Sequence, residues 1–503
     1  MPLPHHDIAI IGSGFGGLGT AIELKRSGRH DFVVLEQAAG IGGTWRANHY
    51  PGCACDVPTP YYSFSFAPEP GWSRLFAPHT EILRYLEGCA DRFGVNRHVR
   101  FDASVTALTW DDVEQRWTIS LRGAPACTAR VVVQATGGLS RPAYPDLPGL
   151  QTFGGSTFHS ADWDHSVDLR GAAVAVVGTG ASAIQFVPRV ADVAAQVDVY
   201  QRTPPWVIPK PDREIGRRER DLYRRLPALQ RAQRGAIWAA EEYMGLGNTR
   251  WHALIRPLER LARAHVRRAI SDPAVRAQLV PSYRIGCKRV LLSNEWYPTL
   301  EREHVGLVTD GIGRVTSRGI ETTTGVTRPA DVIIFGTGFH ATQSIGDLAV
   351  EGRDGMDLRA SWAEGMEAHR GTTVAGFPNL FLMPGPNTGT GHTSQVFMIE
   401  QQIRHVIGAL DQMDAHAAQT IEPRPEAQAA FNKRIARKME QTVWLRGGCT
   451  SWYLDGQGRN TTLWPGSSLG FRKALATIDD TEFHFEPRRQ VARATEVNLA
   501  ARV

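Results

Sequence analysis

Long apolar runs are missing from this chain. None approaches the roughly 18 residues of a membrane-spanning helix, so no membrane partner is expected. The N-terminal MPLPHHDIAIIGSGFGG lacks the basic head, apolar segment and small-residue cleavage site of a secretory leader, and a cytoplasmic location is expected. Cysteine is sparse. Without export, Cys53, Cys55, Cys89, Cys127, Cys287 and Cys449 are expected to be reduced thiols rather than a disulfide framework. No Cys/His cluster has metal-ligand spacing, and no metal is expected. Charge of one sign is also scarce: the net charge is +5 over 503 residues, without an aromatic-interleaved basic stripe, which argues against nucleic acid. No tandem repeat of short period occurs. What remains, 42% hydrophobic and 21% charged, fits a globular α/β chain with room for two or three domains.

Glycine is placed where it carries information. DIAIIGSGFGG sets an apolar strand before Gly12-x-Gly14-x-x-Gly17, and the helical pattern LGTAIELKRSG follows. Such glycines allow a tight turn, close approach of the backbone to a pyrophosphate, and helix-on-strand packing. The next strand, DFVVLE, ends in Glu36, at the offset where an acid binds ribose hydroxyls. The pattern recurs in AAVAVVGTGASA as Gly178-x-Gly180-x-x-Ala183. Its second strand, QVDVYQRT, runs into Arg202-Thr203, and Arg202 stands where Glu36 stands in the first unit. An arginine there accommodates a 2′-phosphate where an acid would accept from a 2′-hydroxyl. The first unit therefore suits an adenine cofactor with a free ribose and the second NADP; two Rossmann-like folds imply two dinucleotides held together, most economically FAD and NADPH/NADP+, and hence a flavoprotein oxidoreductase.

The first fold is expected to be interrupted by the second. Residues 1–150 are assigned to the first part of an FAD-binding domain and 151–207 to the first part of an NADP-binding domain. An Arg-rich helical insertion covers 208–281, residues 282–335 complete the NADP domain, and 336–503 complete the FAD domain with a C-terminal loop closing on NADP. Within the insertion, Leu254, Leu258, Leu261 and His265 recur at helical spacing and predict a face packed on the NADP domain. The insertion's arginines are read as solvated surface. A helix is predicted from about Ser394 to Met413.

Two longer stretches carry a specific resemblance. Gly42-Gly43-x-Trp45-x4-Tyr50-Pro51-Gly52-x3-Asp56 and Phe153-x-Gly155-x3-His159-x3-Trp163-Asp164 resemble the two signatures of type I Baeyer–Villiger monooxygenases. The resemblance runs from about residue 7 to 470. It implies that Arg289, in IGCKRVLL, supports a flavin peroxide and the nicotinamide, that Lys288 helps hold the NADP phosphate, and that Asp56 pairs with Arg289. Thr44, Trp45 and Tyr62 would line FAD, and Trp452 would sit on a mobile loop closing over NADP. His159 is read as an interdomain hydrogen-bonding residue. The implied activity is insertion of one atom of O2 beside a ketone carbonyl, through a C4a-peroxyflavin, to give an ester or lactone. His49 stands where many relatives have Arg, and Gly336 where an Ala is common.

Rival readings stay open at this point. Heteroatom monooxygenases share the Phe, Gly and His of the second signature but usually lack the closing Trp-Asp. Flavin-dependent disulfide reductases place redox cysteines in this region, though as CxxxxC; here Cys53 and Cys55 are CxC. A non-catalytic flavoprotein is the third. The expected partners are a small-molecule ketone and O2, and the chain is expected to be a monomer or a homo-oligomer.

Overall fold

The computed structural model describes residues 3–340 and 345–489; residues 341–344 and 490–503 of the expected FAD region lie outside the described residues. Strands β1 (His5–Ile11), β2 (Phe32–Leu35), β3 (Val99–Arg100), β4 (Val105–Asp111), β5 (Arg116–Leu121) and β6 (Ala124–Gln134) come before β7 (Ser156–His159), β8 (Ala173–Val177), β9 (Gln196–Tyr200), β10 (Val305–Val308) and β11 (Val332–Phe335). Two further strands, β12 (Ala349–Glu351) and β13 (Leu380–Leu382), come after them. One sheet has the order β12-β4-β5-β6-β1-β2-β3, with β13 also paired to β6. A second has the order β10-β9-β8-β11-β7. In both, the strand that enters the glycine-rich turn, β1 or β8, lies between parallel neighbours. Ile8, Ala9 and Ile10 are wholly buried, the mark of a strand covered on both faces. The antiparallel strand β5 instead alternates, burying Trp117, Ile119 and Leu121 in a separate cluster.

Six helices position the site: α1 (Phe15–Arg26), α2 (Ala183–Ala191), α3 (Pro227–Thr249), α4 (Arg256–Ala269), α5 (Gln395–Ala415) and α6 (Ser468–Leu475). The N-cap of α5 is Ser394, whose hydroxyl accepts from Val396 N, so this helix starts where expected. α4 packs on Val207–Ile208 and Trp296–Leu300, but with a different phase from the one predicted. Its buried residues are Ala262 and Val266, flanked by half-buried Leu258 and His265, while Leu261 is exposed. Leu254 belongs to a short 3-10 turn before the helix, so counting from it misplaces the face. The arginines of the insertion are not all solvated either: Arg234 on α3 donates to the carbonyls of Pro60 and Ser63, both at 2.9 Å. Among the described residues no helix is long and apolar enough to cross a membrane.

The expectation of six reduced thiols is corrected. Cys287 and Cys449 form a disulfide, their Cα atoms 6.2 Å apart, whereas Cys53, Cys55, Cys89 and Cys127 are free and buried. Compartment reasoning cannot see such a pair, because only packing among Trp444, Tyr453 and Leu463 brings residues so distant in sequence together.

Candidate active site between two dinucleotide cradles

The first cradle opens at the end of β1. Gly12 has φ +98°, and a Cβ there would lie 2.7 Å from Ala135 O; one at Gly17 would lie 1.8 Å from Gly12 O. Both positions admit only hydrogen. Gly14, at the start of α1, closely approaches Gly43, and no side chain caps the helix, so its first N–H groups are left to a ligand. Glu36 is buried at the end of β2 and accepts from Ser13 N and Oγ through one oxygen and from Ala38 N through the other. These bonds fix the carboxylate beside the turn and leave one acceptor site, on Oε1, for a ribose hydroxyl. An aromatic wall follows: Tyr62 meets Phe15 edge-on at 5.2 Å and Trp45 at 5.5 Å, and Thr44 is exposed beside them.

The second cradle repeats the geometry at β8. Gly178 has φ +110°, and a Cβ there would meet Gly336 O at 2.5 Å. Gly180 faces open space but for Gly336 O at 3.8 Å. The third position, Ala183, is fully buried, and a Cβ built on Gly336 would lie 3.3 Å from its methyl. The glycine at 336 thus compensates for the alanine at 183. Beyond β9, Arg202 is exposed and Thr203 half-buried, its carbonyl accepting from Thr179 Oγ1. Burial and the nearby Arg202 charge both hold Lys288 below the usual lysine range. Among the described residues neither cation has a carboxylate partner; the Lys288 ammonium lies 5.2 Å over the Tyr283 ring.

Between the cradles lies the segment that follows Trp45. Gly52, at φ +81°, packs so closely on α2 that a Cβ would lie 2.7 Å from Gln185 O, and Gln185 Oε1 accepts from Ala54 N. Both long motifs meet on that helix: Tyr50 and Trp163 each pack edge-on against Phe186, at 6.1 and 5.3 Å. His49 pairs across the same junction with His165, at 2.8 Å between ring nitrogens. Asp164 does not reach the site; it is exposed and accepts from Ser166 N and Oγ. His159 is buried, its Nδ1 accepting from Ala161 N, and burial lowers its pKa to about 4.

The Tyr50–Gly52 turn delivers Asp56 to Arg289, whose Nε donates to Asp56 Oδ2 at 2.5 Å. Burial alone would raise the carboxyl's pKa, but the guanidinium overrides it through charge and hydrogen bond, and the carboxyl stays below its usual range. Burial opposes the Arg289 charge in turn, and Asp56 reverses that, so its pKa is raised and the cation is permanent.

Residues 9–226 match the family described as pyridine nucleotide-disulphide oxidoreductase. Over 502 residues the chain is 47% identical to a Baeyer-Villiger monooxygenase of Streptomyces coelicolor, covering 99% of this chain and 96% of that one. This chain belongs to the Baeyer–Villiger monooxygenase family. Its fold matches cyclohexanone monooxygenase from Rhodococcus sp. Phi1 bound to NADP+ (TM-score 0.87, 28% identity, 97% of this chain and 100% of that one). It also matches the OTEMO complex with FAD and NADP (TM-score 0.85, 26% identity, 96% and 100%).

In this monooxygenase the buried free cysteines do not suit a disulfide reductase. Burial pushes Cys53 up to about 11 and raises Cys55 as well, so neither is poised as a thiolate. Trp452 is exposed, its ring 4.4 Å from that of Tyr453. The neighbour is the residue turned inward: Tyr453 is buried within Coulomb range of Arg289 and Asp56, and burial pushes it up to about 12. Sequence reasoning missed Tyr453, Lys210 and Glu241. Lys210 lies in range of Asp56 and over the Phe76 ring at 5.1 Å. Adjacency to Trp452 was the one signal for Tyr453, and nothing in the Arg-rich insertion marked Glu241.

Proposed function

We propose that this Baeyer–Villiger monooxygenase uses FAD on the first cradle and NADP(H) on the second to place one oxygen atom of O2 beside the carbonyl of a small-molecule ketone, giving an ester or lactone. In this reading residues 1–150 and 336–503 form the FAD-binding part, 151–207 and 282–335 the NADP-binding part, and 208–281 an insertion. FAD bound on the first cradle would supply the oxygen-activating chemistry, with NADPH as its reductant. The chain's own groups do the rest. Gly12, Gly14 and Gly17 let the backbone approach one pyrophosphate, and Glu36 takes a ribose hydroxyl. Thr44, Trp45 and Tyr62 wall the flavin and exclude water. Gly178, Gly180 and Ala183 hold the other pyrophosphate, and Arg202, Thr203 and Lys288 bind the 2′-phosphate end. Trp452 covers the nicotinamide when its loop closes.

The observation that carries this reading is the Arg289–Asp56 pair, held where the two cradles meet. A guanidinium fixed by one carboxylate needs no reorganisation when negative charge develops on oxygen next to it. Asp56 orients it through Nε and leaves the terminal nitrogens available. The test is product mass spectrometry with the purified holoenzyme, NADPH, isotopically heavy O2, a panel of ketones and one thioether. Ester or lactone bearing one heavy oxygen is expected. Sulfoxide without ester from any ketone would overturn the reading in favour of heteroatom oxygenation.

A further inference from the structure

The helical insertion contributes a group to the site. One face of α3 is spent on the FAD side: Gln230 donates to Glu69 O, Arg234 to Pro60 O and Ser63 O, and Trp238 to Ser468 Oγ. Glu242 accepts from Ser468 N at the start of α6, and Gly245 lies so close to His392 that a Cβ would sit 2.3 Å from its ring. Glu241 lies three residues after Trp238 and four before Gly245, on this same inward face. Yet it has no such partner: its Oε2 is buried without a hydrogen bond among the described residues. The charged groups within electrostatic range of it are Arg289, Asp56 and, from its own helix, Glu242; Tyr61 also lies in range. Asp56 already balances Arg289, so an anion at Glu241 would be the excess charge.

We propose that the Glu241 carboxyl donates a hydrogen bond to the carbonyl oxygen of the bound ketone, on the side away from Asp56, and so makes the site selective for carbonyl substrates. This rests on the Baeyer–Villiger reading. The half-buried Glu241 keeps one oxygen, Oε2, buried without a partner, and that oxygen gains one when a carbonyl enters. Burial, opposed by Arg289 and aided by Asp56 and Glu242, raises its pKa to about 8, so the donor proton is present at neutral pH. The proton is shared with the substrate oxygen as negative charge grows there and stays on Glu241 at the end of the turnover. Activity on ketones is therefore lost as pH rises through about 8, because the ionised carboxylate accepts only and repels the developing charge.

A thioether provides the control, since it has no carbonyl to receive the bond. The holoenzyme and its Glu241→Ala and Glu241→Gln variants are assayed for ester from a ketone and sulfoxide from a thioether between pH 6 and pH 9.5. Flavin reduction by NADPH reports that each variant still holds both cofactors. For Glu241→Ala, kcat/KM for the ketone should fall about 100-fold, the size of losing one donor to a developing oxyanion, and sulfoxide formation by far less. Glu241→Gln keeps an N–H donor that does not titrate, so its ketone activity should persist above pH 8, where the wild type declines. Equal losses on both substrates, no loss on the ketone, or an alkaline decline of Glu241→Gln matching the wild type would overturn the proposal. No ester from the wild type with any ketone would instead strike the underlying reading.

Discussion

Cys287 is bonded to Cys449 across 162 residues of sequence. The bond falls immediately before Lys288 and in the same turn-rich stretch as Trp452, so it ties the irregular segment carrying Lys288 and Arg289 to the loop proposed to cover the nicotinamide. Alkylation of the unfolded, unreduced protein should therefore modify four thiols, those of Cys53, Cys55, Cys89 and Cys127, and all six after reduction. Cys449→Ser should lower stability by about 2–4 kcal/mol, read from the denaturation midpoint. Six modified thiols without reductant would show the bond absent in solution.

Replacing Arg289 by Ala removes the fixed cation at the junction. Ester formation should drop by a factor of about 100 to 1,000, while stopped-flow reduction of the flavin by NADPH continues. Asp56→Ala should lose less, because it frees the guanidinium without deleting it. Undiminished ester from Arg289→Ala would take this residue out of the chemistry.

Arg202 and Lys288, within electrostatic range of each other and without a carboxylate partner among the described residues, are the proposed holders of the 2′-phosphate. Arg202→Ala and Lys288→Ala should each cut kcat/KM for NADPH by about tenfold, the size of one charge-assisted contact, with little change for NADH. Equal losses on the two coenzymes would place these side chains elsewhere in the reaction.

Acid sensitivity should come from buried histidines. Burial holds His159 at about 4 and His405 at about 3. Once unfolded, each takes up a proton near pH 6.5. Between that value and the folded values the unfolded state binds more protons, so stability falls as pH is lowered through the window. The thermal midpoint should decline from pH 7 to pH 4.5, with a shallower slope in a His159→Asn, His405→Asn variant. The same slope in both proteins would assign the sensitivity to other groups.

Much of the scaffold was legible because its signals are local. The Gly12 and Gly178 turns, the apolar strands before them and the start of α5 at Ser394 depend on neighbours within a few residues. The face of α4 was misjudged because the helix begins at Arg256, after a turn that breaks the count from Leu254. His49 and Gly336 looked like isolated departures. The first has its partner in His165, and the second makes room for the Ala183 methyl.

By itself, the sequence determined two dinucleotide cradles and the motifs that mark the family, because glycine conformation and strand patterning act over short range. Only the tertiary structure decided that Tyr50 and Trp163 share Phe186, that Cys287 finds Cys449, and that an insertion helix brings Glu241 within electrostatic range of Arg289 and Asp56. These outcomes depend on which surfaces pack, and burial then sets the protonation and pairing of each group. No spacing along the chain encodes that.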